Sequence, residues 1–206
     1  MTDYVTISGQ AEAEFIERKS RFIGCCRHVE TEAEALAFLE EKRKEHWDAT
    51  HNVFAYILRE GQQKRCSDDG EPQGTAGVPV LDVLQKAGVT DLCMVVTRYF
   101  GGILLGAGGL VRAYTAAASG ALQNAELVSM RLVVDCRLRV PYAQFEQAQR
   151  IIAAAETRLD EPIFDDAVTL CWRMPAGQEG TLVTALTELT RGGAEVEISE
   201  AQYAAF

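Results

Sequence analysis

Six consecutive residues, Val53-Phe54-Ala55-Tyr56-Ile57-Leu58, are apolar without a break, and Leu92 to Val96 repeats the pattern. Side chains along a strand alternate between two faces, so such runs demand a sheet covered on both sides. Around them, Val5 to Ser8, Ala13 to Glu17 and Phe22 to Val29 read as shorter strands. A helix is expected from about Thr31 to His46, opened by Thr31 and Glu34 as a capping box, with Ala35, Phe38 and Leu39 as its apolar stripe. Val80, Val83, Leu84 and Ala87 form a second helical stripe closed by Gly88. Leu110, Ala113, Tyr114, Ala117 and Ala121 form a third, whose alanines imply close packing on the sheet.

The second half follows a different rhythm. Leu132, Val134, Cys136, Leu138 and Val140 alternate with polar or outward residues, the period of a strand with one buried face, and Pro141 ends it and can open a helix. Phe145, Ala148, Ile152 and Ala155 recur at helical spacing; Arg158 to Phe164 is a weak strand pushed to an edge by Pro162; Asp165-Asp166 turns the chain. Val168, Leu170, Trp172 and Met174 alternate again, Leu182, Leu186 and Leu189 mark a helix stopped by Gly192-Gly193, and Ala194, Val196 and Ile198 supply a last strand. The order β-α-β-β-α-β predicts a ferredoxin-like split βαβ arrangement, with two helices on one face of an antiparallel sheet. With 206 residues, against about 100 to 150 for an ordinary domain, two domains are expected, 1–130 and 131–206, in an α+β chain without internal repeats.

Charge narrows the function classes. The formal net charge is −10, and each half carries −5, so neither is a basic module and indiscriminate nucleic-acid binding is disfavoured. Any RNA contact must come from a local patch. Met1-Thr2-Asp3-Tyr4 lacks a basic segment followed by an apolar run, and no stretch reaches the roughly 20 apolar residues that cross a bilayer, so a cytoplasmic protein without a membrane partner is expected. Six scattered cysteines, without C-x-x-C spacing, are expected to be packed, reduced thiols; Cys25, Cys26 and His28 lack the second ligand pair that zinc needs.

Two loops carry the chemistry. In Arg98-Tyr99-Phe100-Gly101-Gly102-Ile103-Leu104-Leu105-Gly106-Ala107-Gly108-Gly109, the glycines precede a helix and let backbone N–H groups converge where its dipole is positive, a recipe for holding a phosphate. Arg98 and Arg112 can add charge-assisted donors to the same anion, although glycines also serve plain tight turns. In the second loop, Ser67-Asp68-Asp69-Gly70-Glu71-Pro72-Gln73-Gly74-Thr75, three carboxylates crowd ahead of a helix that Thr75 can cap. Asp68, Asp69 and Glu71 can hold a divalent cation, accept hydrogen bonds from base amines, or simply complement the helix dipole. Arg18-Lys19-Ser20-Arg21 before Phe22 offers phosphate contact beside a ring, or a protected hairpin edge. His51, ahead of the buried strand, is a candidate acid or base, or a structural histidine that shapes the cleft.

The strings S-D-D-G-E-P-Q-G-T-A-G and R-Y-F-G-G-I-L-L-G-A-G-G-L-V-R-A-Y, with E-R-K-S-R-F-I near the start, resemble the signature of the Impact family across nearly the whole chain. The resemblance implies a ribosomal protein S5 domain 2-like domain followed by a ferredoxin-like one, a pair similar to domains IV and V of elongation factor G. It also implies relatives that regulate translation through a protein partner, and no established catalytic residues. The chain is therefore expected to bind RNA or the ribosome rather than to catalyse, without a required cofactor. The alternatives are a nucleotide- or phosphometabolite-binding enzyme using the same glycine-rich loop, and a protein-interaction role for the second domain's sheet through Arg137 and Arg139.

Overall fold

The structure, a computed structural model, describes residues 3–206; Met1 and Thr2 of the amino-terminal tetrapeptide lie outside the described residues. The chain divides into two compact units, Tyr4–Val128 and Ser129–Phe206, the second joined by Asp3. Together they form a mixed α+β protein with two sheets and five α-helices among the described residues. No helix among those residues is long and apolar enough to cross a membrane.

In the first unit a strand, β1 (Tyr4–Ser8), leads into β2 (Gln10–Glu17), β3 (Ser20–His28), β4 (His51–Leu58), β5 (Gln63–Ser67) and β6 (Leu92–Tyr99). β2 to β6 build one antiparallel sheet in the order β2-β3-β6-β4-β5. The three helices are α1 (Glu32–Glu45), α2 (Gly77–Ala87) and α3 (Gly106–Gln123). The two uninterrupted apolar runs are the sheet's inner strands β4 and β6, and their alternate residues feed two cores. Val53, Ala55 and Ile57 with Leu92, Met94 and Val96 pack beneath α2 and α3; Phe54, Tyr56 and Leu58 with Cys93 and Val95 meet Ala35, Phe38 and Leu39 of α1. Each large side chain so buried contributes about 1.5–3 kcal/mol. The alanines of α3 do bring it close: a Cβ on Gly24 of β3 would strike the backbone of Ala117.

α1 begins as its sequence indicates, with the Thr31 hydroxyl accepting from Glu34 N–H at 3.2 Å. The reciprocal arm is displaced by one residue, because the Glu34 carboxylate accepts from Glu30 N–H rather than from Thr31. β5, Gln-Lys-Arg-Cys-Ser, is a strand the hydrophobic pattern did not reveal; it is an edge strand with no buried residue and is protected by charge.

The second unit holds β7 (Glu126–Val140) from Ser129 onward, α4 (Tyr142–Ala153), β8 (Arg158–Leu159), β9 (Ile163–Phe164), β10 (Val168–Pro175), α5 (Glu179–Thr190), β11 (Glu197–Ile198) and β12 (Gln202–Ala205). β10 pairs with β7 on one side and with β8 and β9 on the other, while β11 and β12 pair with the far side of β7, all antiparallel. The weak strand around Pro162 is thus two two-residue pieces, and the terminal strand is followed by another, β12. Val134, Cys136, Leu138 and Val140 pack with Leu170 and Trp172 against Ala148 and Ile152 of α4 and Leu182 and Leu186 of α5. The other face of the sheet carries charge that is already matched. Arg173 donates to Asp135 at 2.7 Å, Arg139 pairs with Asp165 and Asp166, and Arg137 lies 4.0 Å from Glu197.

Candidate functional site

α2 and α3 begin in very different surroundings. At the start of α2 the loop after β5 folds back on itself, and the Asp68 carboxylate accepts from Gly74 N–H (2.9 Å), Ala76 N–H (3.0 Å) and Gly77 N–H (2.8 Å). Burial pushes the Asp68 carboxyl up, but the three donors outweigh it and hold its pKa below the ordinary value. Thr75, expected as the cap, instead donates its hydroxyl to Pro72 O, because the residue before the helix is Ala76 and the cap arrives from the loop. Ser67 Oγ accepts from Asp69 N–H, and the Asp69 carboxylate takes Asn52 N–H at 2.6 Å and the Arg43 guanidinium at 3.1 Å.

Glu71, next in the loop, points inward. It is 8 % exposed, and its Oε1 accepts from Arg98 Nη1 at 2.6 Å and from the Tyr114 hydroxyl at 2.7 Å. The strand register explains the meeting. Phe22, Arg98 and His51 lie in one row across β3, β6 and β4, so all three share the face that α3 covers. Arg98 continues the row Leu92, Met94, Val96 and is 5 % exposed, its guanidinium flanked by the rings of Phe22 and Phe100 at 5.3 and 5.5 Å. Burial, and then the bond to Glu71, raise the Tyr114 hydroxyl far above its usual range, so it remains a donor. His51 completes the group. Its Nδ1 lies 2.8 Å from Asp69 O and its Nε2 3.8 Å from Glu71 Oε1.

The three loop carboxylates therefore do not share a cation. Each faces a different partner: the α2 amides for Asp68, β4 and Arg43 for Asp69, the Arg98–Tyr114 pair for Glu71. No cluster of three or more His, Cys, Asp or Glu side chains arranged to hold a metal ion occurs among the described residues. Arg98, expected as a phosphate ligand, is paired with the buried Glu71 carboxylate.

α3 starts without such a cap. Only Gly101 and Gly102 precede it; Gly106, Gly108 and Gly109 lie within its first turn. Leu105 has right-handed backbone (φ −87°, ψ −23°) and Gly106 takes φ +70°, the alternation that turns successive N–H groups toward one point as an anion-binding nest. No side chain caps this start, no acidic residue lies in its first turn, and the amides of Leu105 to Gly108 meet no acceptor among the described residues. Arg112 is exposed, forms no ion pair among those residues, and its Nη1 reaches back beside Gly108.

The basic cluster is locked to the same loop. Arg18 and Lys19 are the two-residue turn of the β2–β3 hairpin, with φ of +46° and +67°, values costly for side chains other than glycine. A Cβ on Gly101 would collide with the Lys19 backbone, and Ser20 Oγ, fully buried, accepts from Gly101 N–H at 3.1 Å and from Arg98 Nη2. Arg18 and Arg21 pair with Glu17 and Glu14, leaving exposed Lys19 without an ion pair among the described residues. Tyr99 is turned away, with its hydroxyl donated to Asp48 and 3.0 Å from His46 Nδ1.

Beside the α3 start lies a cavity of 370 Å³ lined by Thr50, His51, Glu71, Arg98, Phe100 and Leu104 with the first turn of α3. A larger groove of 710 Å³ runs between α2 and α3, but its walls, including Val78, Val83, Val111 and Leu127, converge no buried polar group. Tyr114 and Ser20 are members of the site that the sequence reading passed over. A tyrosine within an alanine-rich buried stripe was the available signal, because its hydroxyl needs a partner.

The Impact N-terminal domain model matches residues 18–122, and the domain of unknown function DUF1949 matches residues 138–192. IMPACT family member YvyE of Bacillus subtilis (strain 168) is 37% identical over 201 residues, 97% of this chain and 93% of its own. The chain belongs to the Impact family. Another member, YigZ of Escherichia coli (strain K12), is 34% identical over 182 residues, 87% of this chain and 89% of its own. A crystal structure described only as that of a hypothetical protein is 31% identical, with a TM-score of 0.63 over 100% of this Impact chain and 98% of the other. In this family member the matched segment holds both helix starts, the Arg98–Glu71 pair and the basic turn.

Proposed function

We propose that this protein contacts RNA, on the ribosome or apart from it, in the cytoplasm and in the regulation of translation, with the start of α3 as its phosphate-binding point. The observation that carries the reading is the Leu105–Gly106 nest, whose amides meet no acceptor among the described residues, while the neighbouring helix start is filled by Asp68. A helix N-terminus of this kind favours a phosphate through both its free N–H groups and its dipole. Lys19 and Arg112, without ion pairs among the described residues, add positive charge on a chain whose net charge is −10, so the attraction is local rather than general.

Residues 1–130 are taken as an S5 domain 2-like domain and 131–206 as a ferredoxin-like one, a pairing similar to elongation factor G domains IV and V. The order β7-α4-β8/β9-β10-α5-β11/β12, with both helices packed on one face of the sheet, supports the second assignment. The test is co-sedimentation with ribosomes and with purified RNA for the wild-type chain and for Lys19→Ala/Arg112→Ala, across about 50 to 200 mM salt. The variant is expected to be retained less, with the logarithmic salt slope shallower by about one per lost phosphate contact. Equal retention at every salt concentration overturns the proposal.

A further inference from the structure

The cavity beside the α3 start has a polar floor that the phosphate reading does not use. Glu71 Oε1 receives Arg98 and Tyr114, whereas its Oε2 takes no hydrogen bond among the described residues. The buried side-chain atoms without partners among those residues are Arg98 Nε and Trp172 Nε1, so Oε2 is not sealed away and remains open to the cavity that Glu71 lines. His51 supplies the second group. A carbonyl oxygen only accepts, so Nδ1 carries the hydrogen bonded to Asp69 O, which leaves Nε2, 3.8 Å from Glu71 Oε1, as the ring nitrogen that offers a lone pair whenever the ring is uncharged.

Two acceptors side by side on one floor ask for a ligand group with two N–H donors. The walls ask for something flat and apolar: Pro72, Phe100, Leu104, Leu105 and Leu110 line them, with Phe100 46% and Leu104 83% exposed. At 370 Å³ the space is near the small end of ligand pockets, which run from roughly 300 to 1,000 Å³. We infer that this cavity takes one unpaired nucleobase bearing an exocyclic amine, its N–H groups on Glu71 Oε2 and His51 Nε2 and its ring between Phe100 and Leu104, with the adjoining phosphate at the α3 start. The inference rests on the phosphate reading and gives it a specificity: cytosine, adenine and guanine carry an exocyclic amine, whereas uracil carries none and offers two carbonyl oxygens with one ring N–H.

The experiment measures binding of the full chain, by fluorescence anisotropy at one salt concentration, to labelled oligoribonucleotides of cytidine, adenosine or uridine and to an abasic oligomer of equal length. Oligocytidine and oligoadenosine are expected to bind about ten- to a hundredfold more tightly than oligouridine, since uracil leaves buried acceptors unpaired. Glu71→Gln keeps an acceptor for Arg98 and Tyr114 but places an amide donor at the other position, and is expected to shift preference toward uridine. Should that variant fail to fold, Leu104→Ala and Phe100→Ala serve instead, weakening base-bearing oligomers several-fold while sparing the abasic one. Cytidine monophosphate bound as tightly as the oligomer supports the cavity with a free nucleotide as its ligand; weak monophosphate with tight oligomer supports it with RNA. Equal affinity for cytidine, adenosine, uridine and abasic oligomers, still weakened by Arg112→Ala, overturns the base pocket and leaves the phosphate site standing. No binding of any oligomer overturns both.

Discussion

α2 and α3 lie against the same face of one sheet, yet one start is closed and the other open. Any helix leaves its first N–H groups without intrahelical acceptors. At α2 the chain supplies the missing anion itself, as the Asp68 carboxylate on three amides. At α3 it supplies none among the described residues, and it also keeps acid out of the first turn, sets Gly106 in a conformation only glycine adopts cheaply, and braces the approach with Ser20 and the Lys19 backbone. A start needed only for stability would be capped as α2 is. One held open, by a loop tied down at several points, is suited to an anion from outside.

The harshest way to break this comparison is to remove what the two starts share. Glu71→Ala leaves the Arg98 guanidinium buried without its counter-charge, and denaturant unfolding is expected to show a loss of about 3–5 kcal/mol. A loss under about 1 kcal/mol would mean that Arg98 finds water or another partner. Next comes the closed start. Asp68→Ala is expected to cost about 0.5–2 kcal/mol while leaving RNA retention unchanged. Because the Asp68 pKa is lowered in the fold, its contribution is present above the ordinary value of 3.8 and is lost as pH falls through the depressed one. The stability gap between wild type and Asp68→Ala should therefore close in strong acid, and a gap independent of pH would refute the capping role. The smallest effect on stability sharpens the contrast most. Ala107→Glu places a carboxylate in the exposed first turn of α3, and is expected to stabilise the fold by about 0.3–1 kcal/mol while lowering RNA retention. Added stability with undiminished retention would show that no phosphate sits there.

Much of this was readable along the chain. The unbroken runs of β4 and β6 required two covered faces, and two cores are found. Period two carried the second unit, and Gly88 closes α2 in the left-handed conformation expected of it. Period two also placed Arg98 in the row of Leu92, Met94 and Val96, a signal outweighed by the expectation that an arginine beside glycines faces an anion. β5 and β12 did not show, and β8 and β9 read as one weak strand, because short or edge strands need no apolar alternation.

What the sequence determined by itself was local: where strands and helices run, which faces are apolar, and that glycine gathers at one helix start. Those properties depend on neighbours a few positions apart, whose spacing the chain states outright. Only the tertiary structure decided which charge meets which. Arg98 and Glu71 are 27 residues apart, Arg98 and Ser20 are 78 apart, and the sheet register brings them together. A carboxylate's role follows from the donors that reach it in three dimensions, which is why three adjacent acids became a helix cap, a strand tie and a buried counter-ion instead of one cation site.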